Sequence, residues 1–491
     1  MVSTAASARL KMGELAPPGV RSRLGLTLGL AGLDGLLAGP HPQLAILVAL
    51  GAAFLLVMLA DLTVGLCFFV LASFLDVIPQ VGGGVTIVKA LGLLLVVTWL
   101  AAAANPGAAE TVTGFVVRYR FFLVALLAFL GWALLSMLWA EEPMASASIV
   151  VRLALNFTLF PIVFAAVRNE RHVTLLFATF VGGGVLTTIW ALLTPPDNAT
   201  AHGRLSGSLN PNQLGNILMV AVVLAVVLAL SGVWSRSARL LIALVAVGCA
   251  VALFATLSRG SLLGLAVAGL IAPFVAGPGR RGLTLAAVVT SIVTASTFFA
   301  LFASSASIAR ITHPGAGGGA GRADLWKIAW TMVDAHPVRG IGAGNFANTS
   351  VDYLFRTTGL IDKSTPAFVV DTPKVPHNIY LQVLAELGVI GAALFVGLVG
   401  FAWICSLRAA GRFQLNGDHD LELLARGLFI ATTGLLAAEF FASELFSKRL
   451  WLVLAAGPAL RAVAERRAAV RPPISGRAAT PRSPLRAPRP D

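Results

Sequence analysis

Apolar runs long enough, or nearly long enough, to cross a bilayer recur along almost the whole chain. They lie at about 24–39, 43–60, 62–78, 85–104, 121–139, 150–167, 173–194, 213–231, 237–256, 259–276, 281–303, 378–406, 424–444 and 447–464. A helical span needs roughly 20 apolar residues to traverse the hydrocarbon layer. The sequence therefore predicts an all-α polytopic membrane protein with about 12–14 transmembrane helices. Barrel strands are excluded, because they are shorter and alternate apolar with polar positions. A soluble domain is excluded too, since 57% of residues are hydrophobic and only 12% charged. The first run, Leu24 to Ala38, leads straight into the next with no small-residue cleavage site, which predicts a retained span and not a secretory signal.

Charge sets the expected orientation. Arg21, Arg23, Arg118, Arg120, Arg168, Arg171, Arg236, Arg239, Arg280, Arg281, Arg408 and Arg412 fall in alternate loops, and the intervening loops carry few bases. The positive-inside bias then places both termini in the cytoplasm. The net charge of +14 sits in these loops and in the tail, the pattern of a membrane protein and not of a nucleic-acid partner. The expected organisation is a cytoplasmic segment 1–23, a transmembrane bundle 24–303, a periplasmic loop 304–376, C-terminal spans 377–464, and a disordered basic cytoplasmic tail 465–491. The loop 304–376 is the one large polar insert and should contain short amphipathic helices.

On the expected outer side, polar residues stand where the apolar runs break. Arg259, in "FATLSRGSLLGL", separates two spans with almost no loop. An Arg there either snorkels to headgroups or binds an anion through paired hydrogen bonds. Arg204, in "HGRLSGSLNPNQLG", is equally open between ordinary turn chemistry and anion binding. Arg322 opens "GRADLWKIAWTMVDAHPVRGIGAGNF", where Trp326, Ala329, Trp330 and Val333 share a face at helical spacing. That face predicts an amphipathic helix on the membrane with both tryptophans at headgroup depth. "GIGAG" has no strand or nucleotide-binding unit round it, so it is not a phosphate loop. His377 and Asn378 stand at the mouth of a span, in "VPHNIYLQVLAELGVIG". A neutral imidazole there could take a proton from a hydroxyl. Glu386, nine residues on, is expected about 13 Å deeper, where a carboxylate needs a partner or a water path.

Cys67, Cys249 and Cys405 lie inside apolar runs and form neither a disulfide frame nor a metal site. No cluster of His, Cys or carboxylates has metal-ligand spacing on the outer side, so neither metal nor other cofactor is expected. Asp418-His419-Asp420 falls in a cytoplasmic loop and is expected to be solvated.

"PHNIYLQVLAELGVIG" resembles the His-Asn motif of the O-antigen ligase and O-antigen polymerase superfamily. "GRLSGSLNPNQLG", "SRGSLLG" and "GRADLWKIAWTMVDAHPVRGIGAGNF" look like its companion motifs, in the family's order. The resemblance covers residues 200–400 specifically. It implies a metal-independent, inverting glycosyltransferase of the bacterial inner membrane. Such an enzyme moves a glycan from undecaprenyl diphosphate to another glycan or to lipid A core at the periplasmic face. It implies diphosphate binding by Arg259 and Arg322, with Arg204 beside them, and service of the acceptor hydroxyl by His377, supported by Asn378 and Glu386. Ligase and polymerase share these motifs. The alternative from a different class is a transporter or flippase for a glycolipid or a small anion, which internal repeats would favour. None is evident.

Overall fold

The computed structural model describes residues 61–470 apart from 75–86, 104–108, 195–203, 208, 278, 302–319, 361–368 and 372–373, together with three isolated positions near residue 50. The runs expected at 24–39 and 43–60, the segment 1–23 and the tail beyond residue 470 lie outside the described residues. The first half of the chain supplies α1 (Leu62–Phe74), α2 (Ile87–Ala103), α3 (Ala109–Arg118), α4 (Arg120–Leu135), α5 (Pro143–Phe157), α6 (Leu159–Ala166), α7 (Glu170–Leu193) and α8 (Pro211–Leu230). The second half supplies α9 (Arg236–Ala255), α10 (Arg259–Val275), α11 (Arg281–Leu301), α12 (Ala320–Ala335), α13 (Phe346–Leu354), α14 (Ile379–Leu415), α15 (His419–Ala438) and α16 (Lys448–Val470). Among the described residues eight helices are long and apolar enough to cross a membrane, and three shorter apolar ones accompany them. The chain is an all-α polytopic membrane protein.

Burial sorts the helices. α8 and α15 bury most of their length, while α11 buries none. Those two central helices pack on each other and on α10, and α14 packs on α4, α15 and α16. The crossing of α10 and α15 is set by two glycines. A Cβ at Gly264 would stand 2.5 Å from the Gly434 carbonyl oxygen, and one at Gly434 would stand 2.7 Å from that of Gly264. Lipid supplies no hydrophobic drive between helices, so close backbone approach through small residues does this work. At the end of the bundle opposite His377, Glu465 pairs with Arg118, Arg412 and Arg461. Arg467 bridges Asp418 and Glu170. Asp418 is therefore an ion-pair partner and Asp420 accepts the Gly232 N–H at 2.7 Å, so the acid-His-acid triplet is tied down and not simply solvated.

Helix α14 is 37 residues long but broken at Gly388, whose φ is 66° and ψ −170°. The break frees backbone groups that a membrane cannot leave unpaired. Loop 337–342 takes them up. Val389 N–H donates to the Pro337 carbonyl at 2.9 Å, while the carbonyls of Ala385 and Glu386 accept from Ile341 and Gly342 at 3.1 and 2.8 Å. Trp132 Nε1 donates to the Leu387 carbonyl at 2.9 Å. The approach is so close that a Cβ on Gly340 would sit 2.3 Å from the Glu386 oxygen. The first turns of α14 thus belong to a cap with its own apolar cluster, in which Leu325, Ile328 and Met332 of α12 and Phe346 and Tyr353 of α13 meet Leu381 and Ala385.

Candidate functional site

Three spans begin at the same end of the bundle, each with a short polar cap. Asn210 accepts from Asn212 N at 2.9 Å ahead of α8, with Pro211 at the first helical position. Ser258 Oγ accepts from Ser261 N at 3.4 Å ahead of α10. Asn378 Oδ1 accepts from Tyr380 N and Leu381 N at 3.1 and 3.0 Å ahead of α14. Side-chain oxygens satisfy N–H groups that a helix start leaves unpaired, and proline fits there because its missing N–H is not needed.

The caps are linked. Asn212 Oδ1 accepts from Arg204 Nη2 at 3.0 Å and from Ser258 Oγ at 3.1 Å. Ser258 and Ser261 hydroxyls lie 2.9 Å apart, and Ser261 Oγ donates to Asn216 Oδ1 at 2.7 Å. Asn216 Nδ2 donates to Glu439 Oε1 at 3.1 Å, and Glu439 Oε2 accepts from Glu444 N at 3.1 Å. One polar chain therefore runs from Arg204 to the segment between α15 and α16. Arg204 is buried, and its Nε donates to the Thr256 carbonyl at 2.7 Å. One of its donors braces the turn before Arg259 directly, and another reaches it through Asn212.

That turn meets the His377 region through aromatic packing. A Cβ on Gly260 would lie 2.9 Å from Phe441 Cβ. Phe441 faces Trp326 at a centroid distance of 6.1 Å, and Trp326 Nε1 donates to the Pro376 carbonyl at 2.9 Å. Asn378 N–H donates to Ser443 Oγ at 3.1 Å. The motifs around 204–216, 256–261, 322–326 and 376–378 are thus assembled round residues 439–443. Trp326 packs against Phe440 and Phe441, while Trp330 on the next turn is 53% exposed.

Among the described residues only Leu257 and His377 are non-glycine positions with positive φ, at 49° and 50°. A non-glycine residue held there is strained and has to be held by its surroundings. Both lie in the motifs just described. His377 precedes the span, and burial is the main cause that pushes its imidazole down to about 4, with the Arg322 and Lys374 charges adding to it. Above that value the imidazole is neutral.

Glu386 has the partners that a carboxylate within an apolar run requires. It precedes the Gly388 break and is buried under the cap. Its Oε2 accepts from Gly344 N at 2.7 Å and its Oε1 from Gln382 Nε2 at 3.0 Å. It anchors the glycine-rich loop to α14. The residues that sequence reasoning missed are Glu439, Phe441, Ser443 and Glu444. Their signal was present: two carboxylates at the junction of two apolar runs are costly unless partnered. Among the described residues no three His, Cys, Asp or Glu side chains gather as metal ligands.

None of the curated proteins matches the chain. Residues 244–396 match the family model described as O-antigen ligase, a stretch that contains Arg259, Arg322, His377, Asn378 and Glu386 but not Arg204. With a strained His377 ahead of a span and this match in the same stretch, the chain is a multi-pass membrane protein whose residues 244–396 are similar to the O-antigen ligase family.

Proposed function

We propose that the protein transfers a glycan from undecaprenyl diphosphate to an acceptor hydroxyl at the periplasmic face of a bacterial inner membrane. The supporting observation is a strained, uncharged His377 within reach of the Arg322 charge. The acceptor oxygen attacks the anomeric carbon as its proton passes to an imidazole nitrogen of His377. The bond from that carbon to the diphosphate oxygen breaks on the opposite face, with inversion. Arg259 and Arg322 meet the charge that develops on the diphosphate, which preorganised cations can do without a metal. Arg204, Asn378 and Glu386 hold this arrangement in place. Residues 304–376 and the ends of the spans that carry the caps form its outer side.

Reconstitution with a lipid-diphosphate glycan tests the reading. Formation of a longer or newly linked glycan with release of undecaprenyl diphosphate supports it. Passage of the intact glycolipid across the bilayer with no new linkage would make the protein a flippase. In the same assay Arg259→Lys is expected to lose about tenfold or more of the rate, because Lys keeps the charge but not the paired donors. A wild-type rate would remove the bidentate contact. Chelation of divalent cations from purified enzyme should leave the rate unchanged. Loss on chelation, restored by one added metal, would reverse that part of the mechanism.

A further inference from the structure

The end of the bundle opposite His377 gathers guanidinium groups round a single carboxylate. Arg118 at the end of α3, Arg412 in the last turn of α14 and Arg461 of α16 all pair with Glu465. Arg461 lies one helical turn before Glu465 on the same helix. Arg118 and Arg412 reach it from two other helices, and Arg408 stands one turn before Arg412. Arg466, next to Glu465, gives Nη2 to the Val167 carbonyl at 3.0 Å and keeps a buried Nε with no partner among the described residues. One carboxylate cannot neutralise three guanidiniums, so positive potential is left over between the helices.

A cavity of about 520 Å³ opens at that place, lined by Arg118, Arg412, Leu415, Asn416, Glu465 and Ala468. Leu415 is 84% exposed, and Val117 beside Arg118 is 75% exposed. The charged cavity therefore adjoins apolar surface. Loop charge assigns this end of the bundle to the cytoplasmic leaflet. Phosphate heads there are attracted to basic pockets between spans. A guanidinium meets a phosphate through two parallel hydrogen bonds, and apolar flanks accept the chains beneath the head. The chain's own tail is a poor occupant. Beyond residue 470 it holds five arginines and one acid, Asp491, so it brings the same sign of charge.

We propose that the cavity between α3, α14 and α16 seats the phosphate head of an anionic phospholipid from the surrounding leaflet. The head supplies the negative charge that Glu465 lacks. It ties three helices together at the foot of α14, the helix that His377 precedes. This inference is independent of the transfer reading.

The test is native mass spectrometry of the detergent-solubilised full chain, titrated with phosphatidylglycerol or with phosphatidylcholine of the same acyl chains. The first phosphatidylglycerol is expected to bind about tenfold or more tightly than the first phosphatidylcholine, as two cations near a lipid head should give. Arg118→Gln with Arg412→Gln should abolish that preference. Arg236→Gln with Arg239→Gln removes the same charge at the same end of the bundle but outside the cavity, and should leave the preference intact. Glu465→Gln should tighten phosphatidylglycerol by about fivefold, because a competing negative charge is gone. That gain is opposite in sign to the effect of a loosened helix end, so it separates recognition from folding. Inorganic phosphate at matched concentration should displace nothing. Equal binding of the two lipids overturns the proposal. So does an equal loss in the Arg236 and Arg239 pair, which makes the attraction a diffuse property of the basic loops. Displacement by inorganic phosphate makes the cavity a site for soluble anion, and weaker binding in Glu465→Gln makes the arginines a purely internal clamp. Either result also overturns it.

Discussion

His377→Ala is expected to slow transfer about 10²–10⁴-fold, the range of a lost general base. Donor affinity should change little, since Arg259 and Arg322 remain. The pH profile separates this role from a structural one. Burial and the neighbouring Arg322 and Lys374 charges push the imidazole down to about 4. The acid limb of kcat/KM, which reports free enzyme, should therefore fall near pH 4 and not near the ordinary histidine value of about 6.5. The sign follows from the proton: below the limb His377 is charged and can accept nothing, above it the base is competent. Arg322→Gln removes one depressing charge, so its limb should move up yet stay below the ordinary value, because burial remains. Single-turnover rates across pH, with donor binding in parallel, decide the matter. A residual His377→Ala rate that kept the same limb, with donor binding lost, would make the histidine a substrate holder.

Gly388→Ala should be the most damaging single change outside the residues proposed to meet substrate. The φ of 66° with ψ of −170° is a region almost reserved to glycine and costs of order 1–3 kcal/mol for another residue. The added methyl would also meet the Val338 carbonyl oxygen at 2.1 Å. Loop 337–342 must then withdraw and surrender its bonds to Ala385, Glu386 and Val389. The cap carries Arg322 and Trp326, so the loss should reach the site. A misplacement near 1 Å can cost about 10²-fold in rate. The expected result is that loss of transfer, with faster proteolysis within 320–346. Gly397→Ala, on the same helix with nothing within 4 Å of its added Cβ, should be neutral or slightly stabilising. Wild-type rate and protease resistance in Gly388→Ala would show that the loop does not depend on the break.

Run length made the spans legible, because hydrocarbon thickness sets one number that the sequence either meets or does not. His377 and Arg259 stood out for a related reason: each is a polar residue at the edge of an apolar run, while Arg322 stood out at the start of an amphipathic helix. Glu439 and Glu444 escaped notice because flanking Leu, Ala and Phe residues carried the apolar average across them. The Gly388 break was illegible, since glycines recur in spans and only the partner loop reveals which one turns the chain. The partners of Glu386 were illegible for a like cause, since Gly344 reaches it from a loop distant in sequence. Trp326 and Trp330 differ in exposure because a helix face shared in sequence can straddle a contact and an open edge.

The break in α14 also works as a screw of fixed pitch. Nine residues, Ile379 to Leu387, separate the cap residue Asn378 from Gly388. At about 1.5 Å and 100° per residue they lift His377 roughly 13 Å from the break and set its azimuth round the axis. Height and azimuth cannot be tuned independently, because adding or removing one residue moves the histidine by little in height but swings it through more than a quarter turn. The stretch is pinned at its foot by loop 337–342 and at its head by Ser443, so neither end is free to compensate. A larger acceptor would have to be accommodated in the outer loops, whose lengths carry no such phase, and not by changing the count between His377 and Gly388.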